Sequence, residues 1–188
     1  CMNTDKICIF TDTGKMHTIK AVDIPLGRFR DKGTPVDNLS NYDSSQERML
    51  YVAPVGQLRS DRLLFVTKTS MCKLVEGAEF DVAKRTIAST KLADEDELIF
   101  IGSASEMEQI VLQSHGGCFL RFLTQEVSTM KKTALGVRGM KLADDDYLEH
   151  AYLLAGHQEY TISYHDKEYA LNKVRLAKRD TKGIKPRI

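Results

Sequence analysis

The sequence predicts an all-β, propeller-like assembly of about four four-stranded antiparallel blades, read as a single repeat domain over 1–188. Three observations carry that reading. The chain repeats itself with a period of about fifty residues. Its apolar runs are strand-sized and separated by short polar turns. Only 164–178 has a composition that favours helix, and its register against the strands of the preceding unit outweighs that weak preference.

The first unit, 6–54, opens on Ile7-Cys8-Ile9-Phe10, turns through Thr11-Asp12-Thr13-Gly14 and returns from Lys15 to Ile19. The second, 62–103, repeats the pattern with Leu63-Leu64-Phe65-Val66, Thr67-Lys68-Thr69-Ser70 and Met71 to Val75. In the third, 109–154, the pieces are Ile110-Val111-Leu112, Ser114-His115-Gly116-Gly117 and Cys118 to Leu123. The fourth, 159–188, begins with Tyr160-Thr161-Ile162. A basic stretch follows in each unit, often closing on glycine, as at Lys32-Gly33, Lys132 to Gly136 and Arg179 to Gly183. A step of 47 residues takes Lys132 to Arg179, Gly136 to Gly183 and Val127 to Val174. Four strands of about 5–6 residues with short turns fill such a period, which suits one antiparallel sheet per unit. Without any tryptophan, the chain is not a WD40 array.

Composition bounds the rest. With 188 residues, 42% hydrophobic and 28% charged, the chain fits a soluble globular protein. Its apolar runs, such as Ile99-Phe100-Ile101, fall far short of a membrane helix, so no membrane partner is expected. The start, Cys1-Met2-Asn3, lacks a signal-peptide core and reads as a cut end. Cys1, Cys8, Cys72 and Cys118 are too scattered for a disulfide framework; three sit in apolar runs as small hydrophobes. The pattern suits a reducing cytoplasm.

Net charge is only +1, but charge is sorted by repeat phase. The stretches 28–32, 84–91, 128–141 and 173–187 hold 17 of the 27 Lys and Arg with two acids, Asp31 and Asp180, so they total +15 and the remainder −14. In a radial repeat, equivalent positions face one way, and a positive edge running from blade to blade is a track for a phosphate backbone. Arg28, Arg30, Lys32, Lys84, Arg85, Lys131, Lys132, Arg138, Lys178, Arg179 and Lys182 are the candidate phosphate contacts. Such contacts hold duplex DNA without reading its sequence.

The stretch Lys131-Lys132-Thr133-Ala134-Leu135-Gly136-Val137-Arg138-Gly139-Met140-Lys141-Leu142 resembles the R-T-A-x-G-V-R-G-I-K-L blade motif in C-terminal domains of gyrase and topoisomerase IV A subunits. Phe10 to Lys15, with Lys32-Gly33-Thr34-Pro35, resembles another blade of that domain. The resemblance implies a β-pinwheel whose neighbouring blades exchange strands and whose basic rim binds and bends DNA for strand passage. The partners it implies are the other A-subunit domains and the ATPase B subunit, in a nucleoid-associated, cytoplasmic setting. Cleavage chemistry lies in other domains of the family, so no catalytic residue and no cofactor are assigned. The family's gyrase box, Q-R-R-G-G-K-G, is matched only in part by Ala177-Lys178-Arg179-Asp180-Thr181-Lys182-Gly183, which leaves gyrase and topoisomerase IV both open.

Other chemistries lack their residue patterns. His17, His115, His150, His157 and His165 show no metal-ligand spacing, and no phosphate-binding loop or nucleophile elbow occurs. The acidic runs Asp94 to Glu97 and Asp144 to Asp146 lack an EF-hand pattern and read as solvated turns. The alternative, from a different class, is a propeller-like protein-interaction scaffold without DNA binding.

Overall fold

The structure, a computed structural model, describes residues 4–156 and 158–186. Cys1, His157 and Arg187 lie outside the described residues. The described chain is all-β apart from one helical turn, α1 (Val55–Leu58), and short 3-10 turns.

Each unit starts with the hairpin that its strand-sized apolar runs and polar turns predict. In the first sheet, β1 (Lys6–Thr11) pairs with β2 (Lys15–Lys20) on one side and β3 (Met49–Pro54) on the other. The second sheet repeats this with β4 (Arg62–Thr67), β5 (Met71–Glu76) and β7 (Leu98–Ser103). The third uses β8 (Gln109–Ser114), β9 (Phe119–Leu123) and β11 (Leu148–Leu154). The fourth is the hairpin β12 (Thr161–Tyr164) and β13 (Lys167–Ala170), turning through His165 and Asp166 at φ 50° and 60°. Two consecutive left-handed residues make the tight turn whose twist matches its strands. Within the helix-favouring stretch 164–178 the chain forms β13 and a 3-10 turn.

The fourth strand of a sheet comes from the following unit. β6 (Thr86–Ala88) pairs antiparallel with β2, so the first sheet runs β3-β1-β2-β6. β10 (Val137–Arg138) pairs with β5, giving β10-β5-β4-β7. In the third sheet the same place holds a lone antiparallel bridge, Phe119 to Ile184. Pro186 has no N–H with which to extend it. The sheets therefore have four, four, three and two strands, and their boundaries are shifted against the sequence units.

Apolar clusters fill the spaces between successive sheets. Phe10, Phe65 and Phe80 meet between the first and second, with Phe10 edge-on to Phe80 at 5.0 Å. Leu64, Val66, Leu74, Leu112, Leu120 and Phe122 join the second to the third. Val111, Phe119, Leu154, Leu171 and Val174 join the third to the fourth. Cys8 and Cys72 are buried in this packing and Cys118 is half-buried; all three are free thiols. Burial pushes the thiols of Cys8 and Cys72 up to about 11 and about 12.

Candidate nucleic-acid interface

The basic stretches of the second, third and fourth units form straps that cross to the preceding sheet, where two supply an exchanged strand and the fourth the lone bridge at Ile184. Before the third-unit strap reaches β10 it runs parallel to β5, bridging Leu74 to Thr129. The fourth does the same along β9, bridging Arg121 to Leu176. The step between these bridges is the 47 residues of the sequence repeat. The third- and fourth-unit straps then pass over the neighbouring strand at a glycine. Gly136 has φ 112°, and a Cβ there would stand 2.7 Å from the Cys72 carbonyl oxygen. Gly183, at φ 72°, would meet the Phe119 carbonyl oxygen at the same distance. Gly33, at φ 71°, has nothing within 4 Å.

An acid in the 3-10 turn of each of the first three units reaches the strap of the following unit. Glu79 Oε2 accepts the Lys132 backbone N–H at 3.1 Å, and Lys132 Nζ donates to the Glu79 carbonyl at 3.0 Å. One period later, Glu126 Oε2 accepts the Arg179 N–H at 3.0 Å, and Arg179 Nε donates to the Glu126 carbonyl at 3.1 Å. In the first unit Asp23 lies 3.8 Å from Arg85. Sequence reasoning passed over these acids, although Glu79 and Glu126 stand 47 residues apart and so carry the same periodic signal as the strap cations.

Lys73 fastens the third-unit strap from beneath. Its side chain is buried, with Nζ donating to the carbonyls of Lys132 at 2.7 Å and Ala134 at 2.6 Å, and no carboxylate among the described residues pairs with it. Burial lowers its pKa to about 8, opposed only by the Glu79 charge. Between about pH 8 and its ordinary value of 10.5 the unfolded chain holds a proton here that the folded chain has lost. This residue's contribution to stability therefore rises with pH across that window. Unfolding of the native chain and of Lys73→Met, followed across that window, should show the difference shifting in favour of the native chain as pH rises. A difference that stays flat would remove the buried-cation account.

The straps also bond to one another. Lys91 N donates to the Lys132 carbonyl at 3.1 Å, Lys141 N to the Thr181 carbonyl at 2.9 Å, and Asp180 N to the Gly139 carbonyl at 2.7 Å. Consecutive straps thus meet at these residues. Lys84, Arg85, Lys131, Arg138, Lys178 and Lys182 are exposed, Lys131 with its Nζ 3.3 Å from the Glu79 carboxylate. Lys132 and Arg179 are half-buried, their side chains turned onto backbone carbonyls. Arg28, Arg30 and Lys32 stand exposed on the loop that leaves the first sheet after Asp23, together with Leu26 and Phe29, the two most exposed large apolar side chains.

The acidic runs have a structural use. Asp96 accepts from the backbone and hydroxyl of Thr69, and Asp146 accepts from Gly116 N, so each closes the neighbouring hairpin turn. Among the described residues no group of three or more His, Cys, Asp or Glu could hold a metal ion, and no helix is long and apolar enough to cross a membrane. His115 stacks on Tyr147 at 4.7 Å in its turn, whereas His17 is buried against Glu47.

The family described as the DNA gyrase C-terminal domain, beta-propeller, matches residues 5–44, 61–105 and 108–155, more than two thirds of the chain. The chain belongs to this family. Its similarity to the DNA gyrase A subunit of Ureaplasma parvum serovar 3 is 27% identity over 184 residues, covering 95% of this chain and 22% of the relative. Against the corresponding gyrase protein of Salmonella typhimurium it is 31% over 144 residues, covering 76% and 16%. The chain spans about a fifth of the length of the curated relatives it matches. Among solved structures, the C-terminal domain of DNA topoisomerase IV superposes with a TM-score of 0.87 at 24% identity, over 97% of this chain and 58% of that one. The DNA gyrase A C-terminal domain superposes with a TM-score of 0.72 at 23% identity, over 98% and 60%. The gyrase C-terminal family accounts for the β-pinwheel with exchanged strands that the motif Gly136-Val137-Arg138-Gly139 implied.

Proposed function

We propose that this chain is a non-catalytic DNA-binding and DNA-bending domain of a type II topoisomerase A subunit. It holds duplex DNA by phosphate contacts along the straps and presents it for strand passage. The observation that supports this reading is the backbone bonding between consecutive straps, and in this proposal their exposed cations act as one track. Its partners are the other A-subunit domains and the ATPase B subunit, and its place is the bacterial cytoplasm, at the nucleoid. Gyrase and topoisomerase IV both accommodate these features.

Counterion release gives the test. If about four to six phosphates are neutralised, log affinity falls with log salt at a slope of about −4 to −5, alike for unrelated sequences. Affinity for a mixed-sequence duplex that does not respond to salt, or that shows no gain with duplex length, would favour the protein-interaction scaffold instead.

A further inference from the structure

The basic stretches contain only two acids, and the structure treats them differently. Asp31 turns its carboxylate onto its own loop, where it accepts the Arg28 backbone N–H at 2.6 Å. Asp180 reaches across to the preceding strap and engages the guanidinium of Arg138 through two contacts, Nε to Oδ1 at 2.5 Å and Nη2 to Oδ2 at 3.1 Å. We propose that Asp180 is a built-in competitor for phosphate, its carboxylate occupying the place on Arg138 that the DNA backbone takes when the track is loaded. This inference rests on the DNA-binding reading and adds a gate to it.

Three features support the assignment. The guanidinium fork recognises carboxylate and phosphate by the same paired geometry, so the two anions exclude each other. The carboxylate is fixed in place by its backbone. Asp180 is left-handed at φ 65°, its N–H is bound to the Gly139 carbonyl, and Lys141 N is bound to the next residue's carbonyl. The surroundings are cationic. The hydrogen bond from Arg138 holds the Asp180 carboxyl below the usual carboxylate range, with further help from the charges of Arg179 and Lys141. The same bond pushes the Arg138 guanidinium up, so neither partner changes protonation near neutrality. An ion pair half-open to water is weak enough for a polyanion to displace.

The two acids supply their own control, since Asp180→Asn and Asp31→Asn remove the same unit of charge from the same kind of stretch. Asparagine is tolerated in left-handed backbone, and Asp180→Gly, which keeps that conformation without any side chain, guards against a residual amide contact. Binding of the 188-residue chain to a mixed-sequence linear duplex is measured as a function of salt. For Asp180→Asn and Asp180→Gly the expected result is a three- to tenfold gain in affinity at fixed salt, roughly, with the salt slope steeper by about one. Asp31→Asn should change affinity less than about twofold and leave the slope alone. An equal gain for both sites would reduce the effect to net charge and overturn the gate. A loss at Asp180 would make it a positioning residue for Arg138 and also overturn it. A native chain without salt-dependent binding would instead sink the DNA reading itself, which is a separate readout.

Discussion

Gly136→Ala is expected to lower stability by about 3–5 kcal/mol, combining strained backbone with a steric collision. At φ 112° an L side chain is disfavoured on any neighbour, and here the added methyl would sit 2.7 Å from the Cys72 carbonyl oxygen, a backbone atom that cannot rotate away. Relief requires the strap to lift, which breaks the pairing of β10 with β5 that completes the second sheet. Urea unfolding of the variant should show a lower midpoint, and its DNA affinity should fall with it. Gly33→Ala separates the two causes, because Gly33 is also left-handed but faces open space. It should cost only about 1 kcal/mol, the penalty of a left-handed alanine. Equal losses at the two glycines would show that the close approach of strap to sheet contributes nothing.

Glu47→Ala should be comparably damaging, about 3–5 kcal/mol, because it strips the acceptor from a buried polar cluster. The Glu47 side chain is 2% exposed and takes bonds from Thr11 Oγ1 at 2.8 Å, Thr13 Oγ1 at 2.9 Å and His17 Nε2 at 2.7 Å. His17 Nδ1 in turn lies 3.0 Å from Thr86 Oγ1 on the exchanged strand β6, so the cluster joins the first unit to the second. Burial presses the Glu47 carboxyl upward, but the Thr11 and Thr13 hydroxyls and His17 outweigh it and the net shift is downward. A carboxyl depressed in the folded state adds stability above its ordinary pKa and loses it as pH falls through the folded value. The gap between the native chain and Glu47→Ala should shrink as the pH falls through the glutamate range. Unfolding curves in which the gap persists unchanged well below the glutamate range would refute a charged Glu47.

The hairpins and their order were legible in the sequence because they depend on short apolar runs separated by polar turns. Ile7 to Phe10, Leu63 to Val66 and Ile110 to Leu112 fall inside β1, β4 and β8. Strand exchange was available only through the family resemblance, since Val137 pairs with Cys72 at a separation that no local pattern reveals. The strap cations were found by their phase, yet Lys132 and Arg179 look the same in sequence as Lys131 and Lys178. What distinguishes them is that the Lys132 and Arg179 side chains donate to the main-chain carbonyls of Glu79 and Glu126, whereas Lys131, 3.3 Å from the Glu79 carboxylate, stays exposed. Lys73 and Glu47 were passed over for a related reason. A charged residue, whether in a strand like Lys73 or in the loop before β3 like Glu47, reads as a solvent-facing position, and only the tertiary partner, a pair of carbonyls or a histidine, explains its burial.

The handing of each sheet's last strand from one unit to the next has a consequence for how such an array can change size. Removing one whole period, such as the 47 residues that separate the Leu74–Thr129 and Arg121–Leu176 bridges, keeps the straps in register with the sheets they cross. A deletion of any other length leaves an orphaned ladder edge. Under the proposed function, the track for a polyanion would therefore grow or shrink in increments of one strap, and the strength of its hold with it.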